Sequence, residues 1–254
     1  YVMGENPVLS DPHADRTRKA LAEAGFLVVQ DLFLTETAEL ADVVLPGASF
    51  AEKDGTFTNT ERRIQRVRKA LEPPGLARED GRILADLSTR CGLPMAYDGP
   101  ARILEEIAAL TPIYGGVRLD RIGEAGLQWP CPAPDHPGTK FLHAGTFSRG
   151  KGKFHAVPFQ EAAELPDGDY PLILSTGRVL HHFHTGTMTR RCGGLNELVP
   201  GAVAEMNPAD AGPRGLRTGD PVVLVSRRGS VKARVVVTSR VRPGLVFLPF
   251  HFRE

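Results

Sequence analysis

Apolar and polar positions change their rhythm twice along this chain. Over roughly the first 95 residues, short apolar runs alternate with amphipathic ones. FLVVQD (26–31) and DVVLPG (42–47) are continuous apolar runs closed by turn residues. That is the pattern of parallel strands covered on both faces. YVMG ends an earlier apolar run and passes into GENPVLSDP, a turn-rich stretch. Ser10 or Asp11 there is placed to cap a helix with Pro12 in its first turn, and RTRKALAEA carries that helix to Gly25. TETAELA predicts a short helix capped by Thr35. Strand, helix, strand, helix, strand implies βαβ units with right-handed crossovers.

After residue 95 the texture shifts. GPARILEEIAALTP predicts one amphipathic helix. From Tyr114 to Asp169 the chain is rich in Gly and Pro with little periodicity, and such a length is expected to wrap over another surface. From Tyr170 the signal is β. PLILSTGR predicts one strand, and PVVLVSRRGSVKARVVVTSRV two alternating strands joined by a turn at Arg228-Gly229-Ser230. GLVFLPFHF predicts one more. Short strands with Gly-rich turns point to a small barrel. The expected organisation is therefore an α/β domain over 1–95, a helix and connecting segment over 96–169, and a β domain over 170–254.

Composition adds bounds. A length of 254 residues suits two domains, and 41% hydrophobic with 24% charged residues is ordinary for a globular protein. The net charge of +1 gives no reason to expect nucleic acid or an anionic membrane as partner. No apolar run approaches the ~20 residues of a membrane span, and no signal-peptide pattern is present. The sequence begins at Tyr1, inside what reads as a strand, so a piece of something longer is expected. Cys91, Cys131 and Cys192 are odd in number and far apart, which argues against a disulfide framework or a metal cluster within the chain. A reducing compartment, the cytoplasm by default, is the expectation.

Three stretches occupy the places where open α/β sheets bind ligands, beyond the carboxyl ends of strands. These are Gly4-Glu5-Asn6, Gln30-Asp31 and Thr35-Glu36-Thr37. They read equally as caps and turns or as a nucleotide edge, in which Asp31 accepts hydrogen bonds from ribose or guanine. Neither GxGxxG nor GxxxxGK[ST] occurs. AEKDGTFTNTERRIQRVRKA (51–70) gathers Gly55, Thr56, Thr58, Asn59 and Arg62 with a basic stripe of Arg62, Arg63, Arg66, Arg68 and Lys69. It reads as a solvated face or as a polar lid over an anion.

The run STGRVLHHFHTGTMTRR (175–191) crowds histidines, threonines and arginines together. A strand period would put His182 and His184 on one face, yet no nearby Cys, Asp or Glu completes a metal site. Imidazoles, hydroxyls and the forks of Arg178 and Arg190 better suit a large anionic, hydrogen-bonding ligand. No serine or cysteine nucleophile and no carboxylate pair presents itself.

Taken together, GENPVLSDP, VVQDLFLTETAELADVVLPGASFAEKDGTFTNTERRIQRVRKAL, LQWPCP with DHPGT, YPLILSTGRVLHHFHTGTMTRR and VSRRGSVKARVVVTSRVRPGLVFLPFHF closely resemble the C-terminal half of the catalytic subunit of molybdenum or tungsten formate dehydrogenases. These belong to the molybdopterin oxidoreductase family related to dimethyl sulfoxide reductase. The resemblance runs over almost the whole chain. It implies a partial Rossmann-like parallel α/β domain followed by a double-psi β-barrel, the two sharing bis(molybdopterin guanine dinucleotide) around one metal. It implies the diphosphate turn at Gly4, Glu5 and Asn6, and guanosine contacts at Gln30, Asp31, Thr35 and Asp42. Gly55, Thr56, Asn59 and Arg62 join as the polar lid. Thr176, Gly177, Arg178, His182, His184, Thr187, Met188, Thr189, Arg190 and His251 become the barrel's contribution.

In the family the Cys or selenocysteine metal ligand, its neighbouring His and Arg, and the iron–sulfur cysteines come from the N-terminal half, none of which lies in these 254 residues. No catalytic residue or metal ligand is therefore expected in this chain, which alone is expected to be inactive with formate. The implied partners are that N-terminal half and electron-transfer subunits. The family segment after PFHF, with further pterin contacts, is also missing, and AGPRGL breaks a helix where the family is more helical. Two other readings are compatible: a nitrate reductase or NADH dehydrogenase large subunit of the same superfamily, or a non-catalytic module that binds the pterin cofactor.

Overall fold

The computed structural model describes residues 1–252. The chain divides into two compact units, Tyr1–Glu5 with Arg18–Ala156, and Asn6–Thr17 with Val157–Glu254.

The first unit opens with a parallel three-stranded sheet, β1 (Val2–Met3), β2 (Val28–Asp31) and β3 (Val43–Pro46), in that order. Helices α1 (Pro7–Ser10) and α2 (Ala14–Ala22) fall between β1 and β2. The expected helix after Ser10 is α2, and a four-residue turn of helix, α1, precedes it where the sequence read as turn. On one sheet face Val29, Leu27 and Ala38 are buried with Val2, Leu21 and Leu40 against them. The segment after Thr35 is a single 3₁₀ turn, Ala38–Leu40, whose start is held by the Ala38 N–H donating to Thr35 Oγ1 at 3.3 Å. On the other side α3 (Asp80–Arg90) turns Ile83 and Leu87 toward Leu45 and Pro46, around a small apolar pocket.

Residues 51–70 form an antiparallel hairpin, β4 (Gly55–Thr58) and β5 (Arg63–Val67). Part of the Gly/Pro-rich stretch folds back onto it. β6 (Leu127–Gln128) pairs with Arg63 and Ile64, and α4 (Pro100–Leu110) adds Leu104 to a core of Ile64, Val117, Ile122, Leu127 and Cys131. Arg121 organises this segment, with Nη1 donating to Gly116 O and Ala133 O and Nη2 to His136 O. Buried carbonyls without strand partners need such donors. So residues 114–139 do wrap a surface, and the surface is this hairpin.

The second unit is built on a mixed five-stranded sheet in the order β7, β11, β8, β10, β9. Its strands are β7 (Ile173–Gly177), β8 (Val203–Met206), β9 (Pro221–Ser226), β10 (Gly229–Val237) and β11 (Leu245–Pro249). β7 runs parallel to β11 and β8 parallel to β10, whereas β11 with β8 and β9 with β10 are antiparallel. Val235, Val246, Leu248, Ala204 and Met206 alternate inward to make the core. The β9–β10 turn has Arg227-Arg228 at its tip, with Ser226 opposite Gly229, so Gly229 and Ser230 of the expected turn belong to β10. α5 (Gly193–Leu198) and α6 (Pro208–Ala211) are short. α6 gives way at Gly212 to a 3₁₀ turn, as the AGPRGL break predicts. This is an α/β unit and a β unit.

Candidate ligand sites of the two units

In the first unit the carboxyl ends of β1 and β2 meet at a compact polar edge. Gly4 follows β1 with φ +62°, a left-handed conformation that suits glycine, and its N–H donates to Gln30 O at 2.9 Å. Nothing crowds its Cα, so backbone is open to approach there. Glu5 is exposed; Asn6, where the second unit's first segment begins, is buried, its carbonyl accepting from Leu9 and Ser10 N–H. The Asp31 carboxylate accepts from the Leu32 N–H at 2.6 Å. Gln30 is only 1% exposed, and its amide lies between Asp80 and the Tyr1 hydroxyl. Asp80 also pairs with Lys53. Desolvation, and then the Asp80 charge, push the Tyr1 phenol above its ordinary range. Pattern reading passed over Tyr1, Lys53 and Asp80. Asp80 opens a helix within REDGR, a charged stretch with no apolar period to announce it.

Four residues expected as contacts in this unit have structural roles. Asp42 stands at the opposite, amino-terminal edge of the sheet, where its carboxylate accepts the Leu27 N–H at 2.7 Å. Asn59 closes the β4–β5 turn by accepting from Glu61 and Arg63 N–H at 3.1 and 2.9 Å. Arg62, with φ +65°, donates to Trp129 O, to Thr139 O at 3.1 Å and to Lys140 O at 3.1 Å, and lies 5.6 Å over the Trp129 ring. Its guanidinium is bound to carbonyls of the 129–140 segment. Thr35 is fully buried as a turn cap. Gly55 and Thr56 begin β4 opposite Val67 and Arg66. The basic stripe is broken up too, with Arg63 on Glu61 and Lys69 on Glu72.

In the second unit the expected residues lie at the end of β7, in the turns after it and just past β11. Thr176 and Gly177 end β7, and the run that follows leaves the sheet in turns, which corrects the strand-face pairing expected of His182 and His184. His184 is exposed with φ +47°, while His182 is 4% exposed and points inward. A carbonyl only accepts, so the His182 Nε2–H donates to Val199 O at 2.8 Å. His182 Nδ1 then accepts from the Thr189 hydroxyl at 3.1 Å, and Thr189 Oγ1 in turn accepts from the Phe183 N–H. His251, 1% exposed, is fixed the same way. Its Nε2 accepts from the Val179 N–H at 2.9 Å and its Nδ1–H donates to His184 O. Burial, more than any neighbour, pushes His251 below the usual histidine range, with His182, Arg178 and His184 adding in the same direction and the His184 carbonyl opposing. Both imidazoles are buried scaffolding for the run.

What the run presents outward is donor-rich. Arg178 is exposed and lies 5.2 Å over Phe250. Thr185 and Thr187 share a hydroxyl contact at 3.3 Å, and Met188 is exposed beside them. Arg190 lies 5.1 Å over Phe252. Gly186, with φ +76°, is the pivot, since a Cβ there would meet Arg190 Cγ at 2.7 Å. At Gly177 a Cβ would meet the Phe247 ring at 2.6 Å. A cationic, hydroxyl-lined surface with glycines where backbone or ring approaches closely fits a phosphorylated, hydrogen-bonding ligand. Among the described residues no group of three or more His, Cys, Asp or Glu is placed to hold a metal ion, and no helix is long and apolar enough to cross a membrane.

Comparison with known proteins finds a family match at each end of the chain. Residues 1–90 match the molybdopterin oxidoreductase family, and residues 172–254 match the molydopterin dinucleotide binding domain. The chain is 50% identical over its whole length to the F420-dependent formate dehydrogenase subunit alpha of Methanocaldococcus jannaschii, and spans 38% of that protein. It is 46% identical, again over its whole length and 38% of the relative, to the F420-dependent formate dehydrogenase 2 subunit alpha of Methanococcus maripaludis. The chain thus covers well under half the length of these curated relatives. Acetylene hydratase from Pelobacter acetylenicus shares the fold, at a TM-score of 0.68 and 20% identity, over 97% of this chain and 36% of that one. A molybdopterin oxidoreductase match at one end, a pterin-dinucleotide-binding domain at the other and relatives matched end to end lead to one conclusion: the chain belongs to the molybdopterin oxidoreductase family.

Proposed function

We propose that this chain is the cofactor-gripping portion of a formate dehydrogenase alpha subunit. The observation that carries the reading is the 178–190 run, anchored through the buried His182 and His251 and carrying the donors Arg178, Thr185, Thr187 and Arg190. In this reading the ligand is bis(molybdopterin guanine dinucleotide). One guanosine diphosphate arm lies along Gly4, Glu5, Asn6, Gln30 and Asp31, and the pterins lie against the 176–190 run of a double-psi β-barrel. The corresponding domains are 1–95 and 170–254, with 96–169 joining them. A molybdenum or tungsten centre, when bound, supplies the two-electron oxidation of formate to carbon dioxide.

The residues of this chain do three things toward that group. Arg178 and Arg190 neutralise phosphate charge with planar forks whose positions are fixed by Phe250 and Phe252. Thr185 and Thr187 offer hydroxyls to the hydrogen-bonding edges of the pterin. Gly4 leaves its backbone open to the ligand, while Gly177 and Gly186 make room for the Phe247 ring and the Arg190 side chain. The metal ligand, the acid–base groups and the iron–sulfur cysteines belong to the rest of the polypeptide in this reading, and the electrons leave through those clusters to partner subunits. The names of the methanogen relatives favour F420 as the final acceptor. A cytoplasmic location accompanies the proposal.

The test is turnover. The full-length protein, purified anaerobically, is expected to reduce a viologen dye with formate, and the 254-residue chain alone is expected not to. Pterin bound without metal, and no turnover by the full-length protein, would favour a non-catalytic binding module instead.

A further inference from the structure

Gln30 ends β2 with its side chain 1% exposed. An ionised carboxylate only accepts hydrogen bonds, so the Gln30 amide nitrogen faces Asp80 Oδ1, at 2.7 Å, and the amide oxygen receives the Tyr1 hydroxyl. With both ends of the amide fixed, Asp80 is fixed as well. Its other oxygen, Oδ2, binds the Lys53 ammonium. Gly47 closes the arrangement, because a Cβ there would stand 3.0 Å from Asp80 Oδ1. The Lys53 side chain keeps 28% of its surface exposed, and Asp80 engages one of its three N–H donors.

An exposed ion pair holds two mobile side chains for little gain, on the order of 0–1 kcal/mol. Here the carboxylate is itself gripped by a buried amide, so the cation is held at one place, the carboxyl edge of β2 and β3. A lysine held as a point charge at such an edge suits phosphate. We propose that Lys53 is an anion-binding residue of this edge, contacting the diphosphate of a guanosine nucleotide arm, with Asp80 and Gln30 as its positioning residues. The proposal rests on the cofactor reading above.

The test uses the full-length protein as isolated. The readout is guanine nucleotide, quantified as GMP after acid hydrolysis, both as retained per polypeptide and as its rate of loss during incubation in high salt. Urea midpoints of each variant check folding separately. Lys53→Met is expected to lose nucleotide about tenfold faster than wild type, the change expected when one charge-assisted contact to phosphate goes. Lys53→Arg is expected to stay close to wild type, and Lys53→Met/Asp80→Asn to be no better than Lys53→Met. Recovery of the double variant to wild-type retention would overturn the proposal, since Lys53 would then only balance the Asp80 charge. Wild-type retention by Lys53→Met would overturn it while leaving the cofactor reading intact. Wild-type protein devoid of guanine nucleotide would remove the cofactor reading and this proposal with it.

Discussion

Replacing His251 by leucine tests how the donor run is held. The imidazole joins two backbone groups that have no strand partner, the Val179 N–H and the His184 carbonyl, across 72 and 67 residues of chain. Leucine leaves both unmatched in a place where His251 itself is 1% exposed. A buried donor or acceptor left without a partner costs about 1–3 kcal/mol, so the pair costs roughly 2–5 kcal/mol. That is a large share of the ~5–15 kcal/mol that stabilises a typical domain. His251→Gln, which can still accept from the Val179 N–H, should recover about half. Urea unfolding of the full-length protein, followed together with amide hydrogen exchange at Val179–His184, measures both effects. Burial holds the folded imidazole below the usual pKa. The unfolded chain therefore takes up a proton at about pH 6.5 that the folded chain refuses. Stability is accordingly full above about pH 6.5 and falls as the pH drops from there through the lower folded value. His251→Leu should lose that part of the pH dependence. An unchanged urea midpoint and unchanged exchange in His251→Leu would refute the reasoning.

Other expectations follow from single contacts. Gly186→Ala forces a β-carbon into a left-handed backbone and against Arg190, and should destabilise the second unit by about 2–4 kcal/mol in urea melts and weaken nucleotide retention together. Arg62→Met removes the donors to three carbonyls of the 129–140 segment. It should lower stability by about 2–3 kcal/mol while leaving the rate of guanine nucleotide loss unchanged, which separates a structural arginine from a ligand contact. Glu164 is held below the usual carboxylate range chiefly by hydrogen bonds from Arg227 and Arg228, and Asp167 chiefly by the Tyr170 N–H with Arg227 adding to it. This clasp is present above about pH 4.5 and is lost as pH falls through the lower folded values, so proteolysis near residue 165 should accelerate only in stronger acid or high salt.

The parallel strands were legible because their apolar runs are continuous and bounded by turn residues. The β strands of the second unit were legible because they alternate. α3 was not, since Asp80–Arg90 carries few apolar positions and rests on the short sheet through Ile83 and Leu87. In the candidate site, residue type showed where polar chemistry gathers but not which way side chains point. His182 and His184 sit two apart, yet a left-handed residue at His184 sends one inward and leaves the other exposed. Arg62 read as an anion contact because nothing local shows that carbonyls 67 to 78 residues away would claim it. Asp42 lies at the amino-terminal edge of the sheet, a placement that only the strand register fixes. Lys53 and Asp80 lie 27 residues apart and acquire meaning only through the buried Gln30 between them.

The central claim is that this chain grips a guanine dinucleotide form of the pterin cofactor. Acid hydrolysis of the anaerobically purified full-length protein, with chromatographic quantification of GMP per polypeptide, tests it most directly. The account predicts about two equivalents of GMP, in step with the pterin content, as bis(molybdopterin guanine dinucleotide) requires. Fully folded protein that releases pterin but no GMP, or neither, would contradict it.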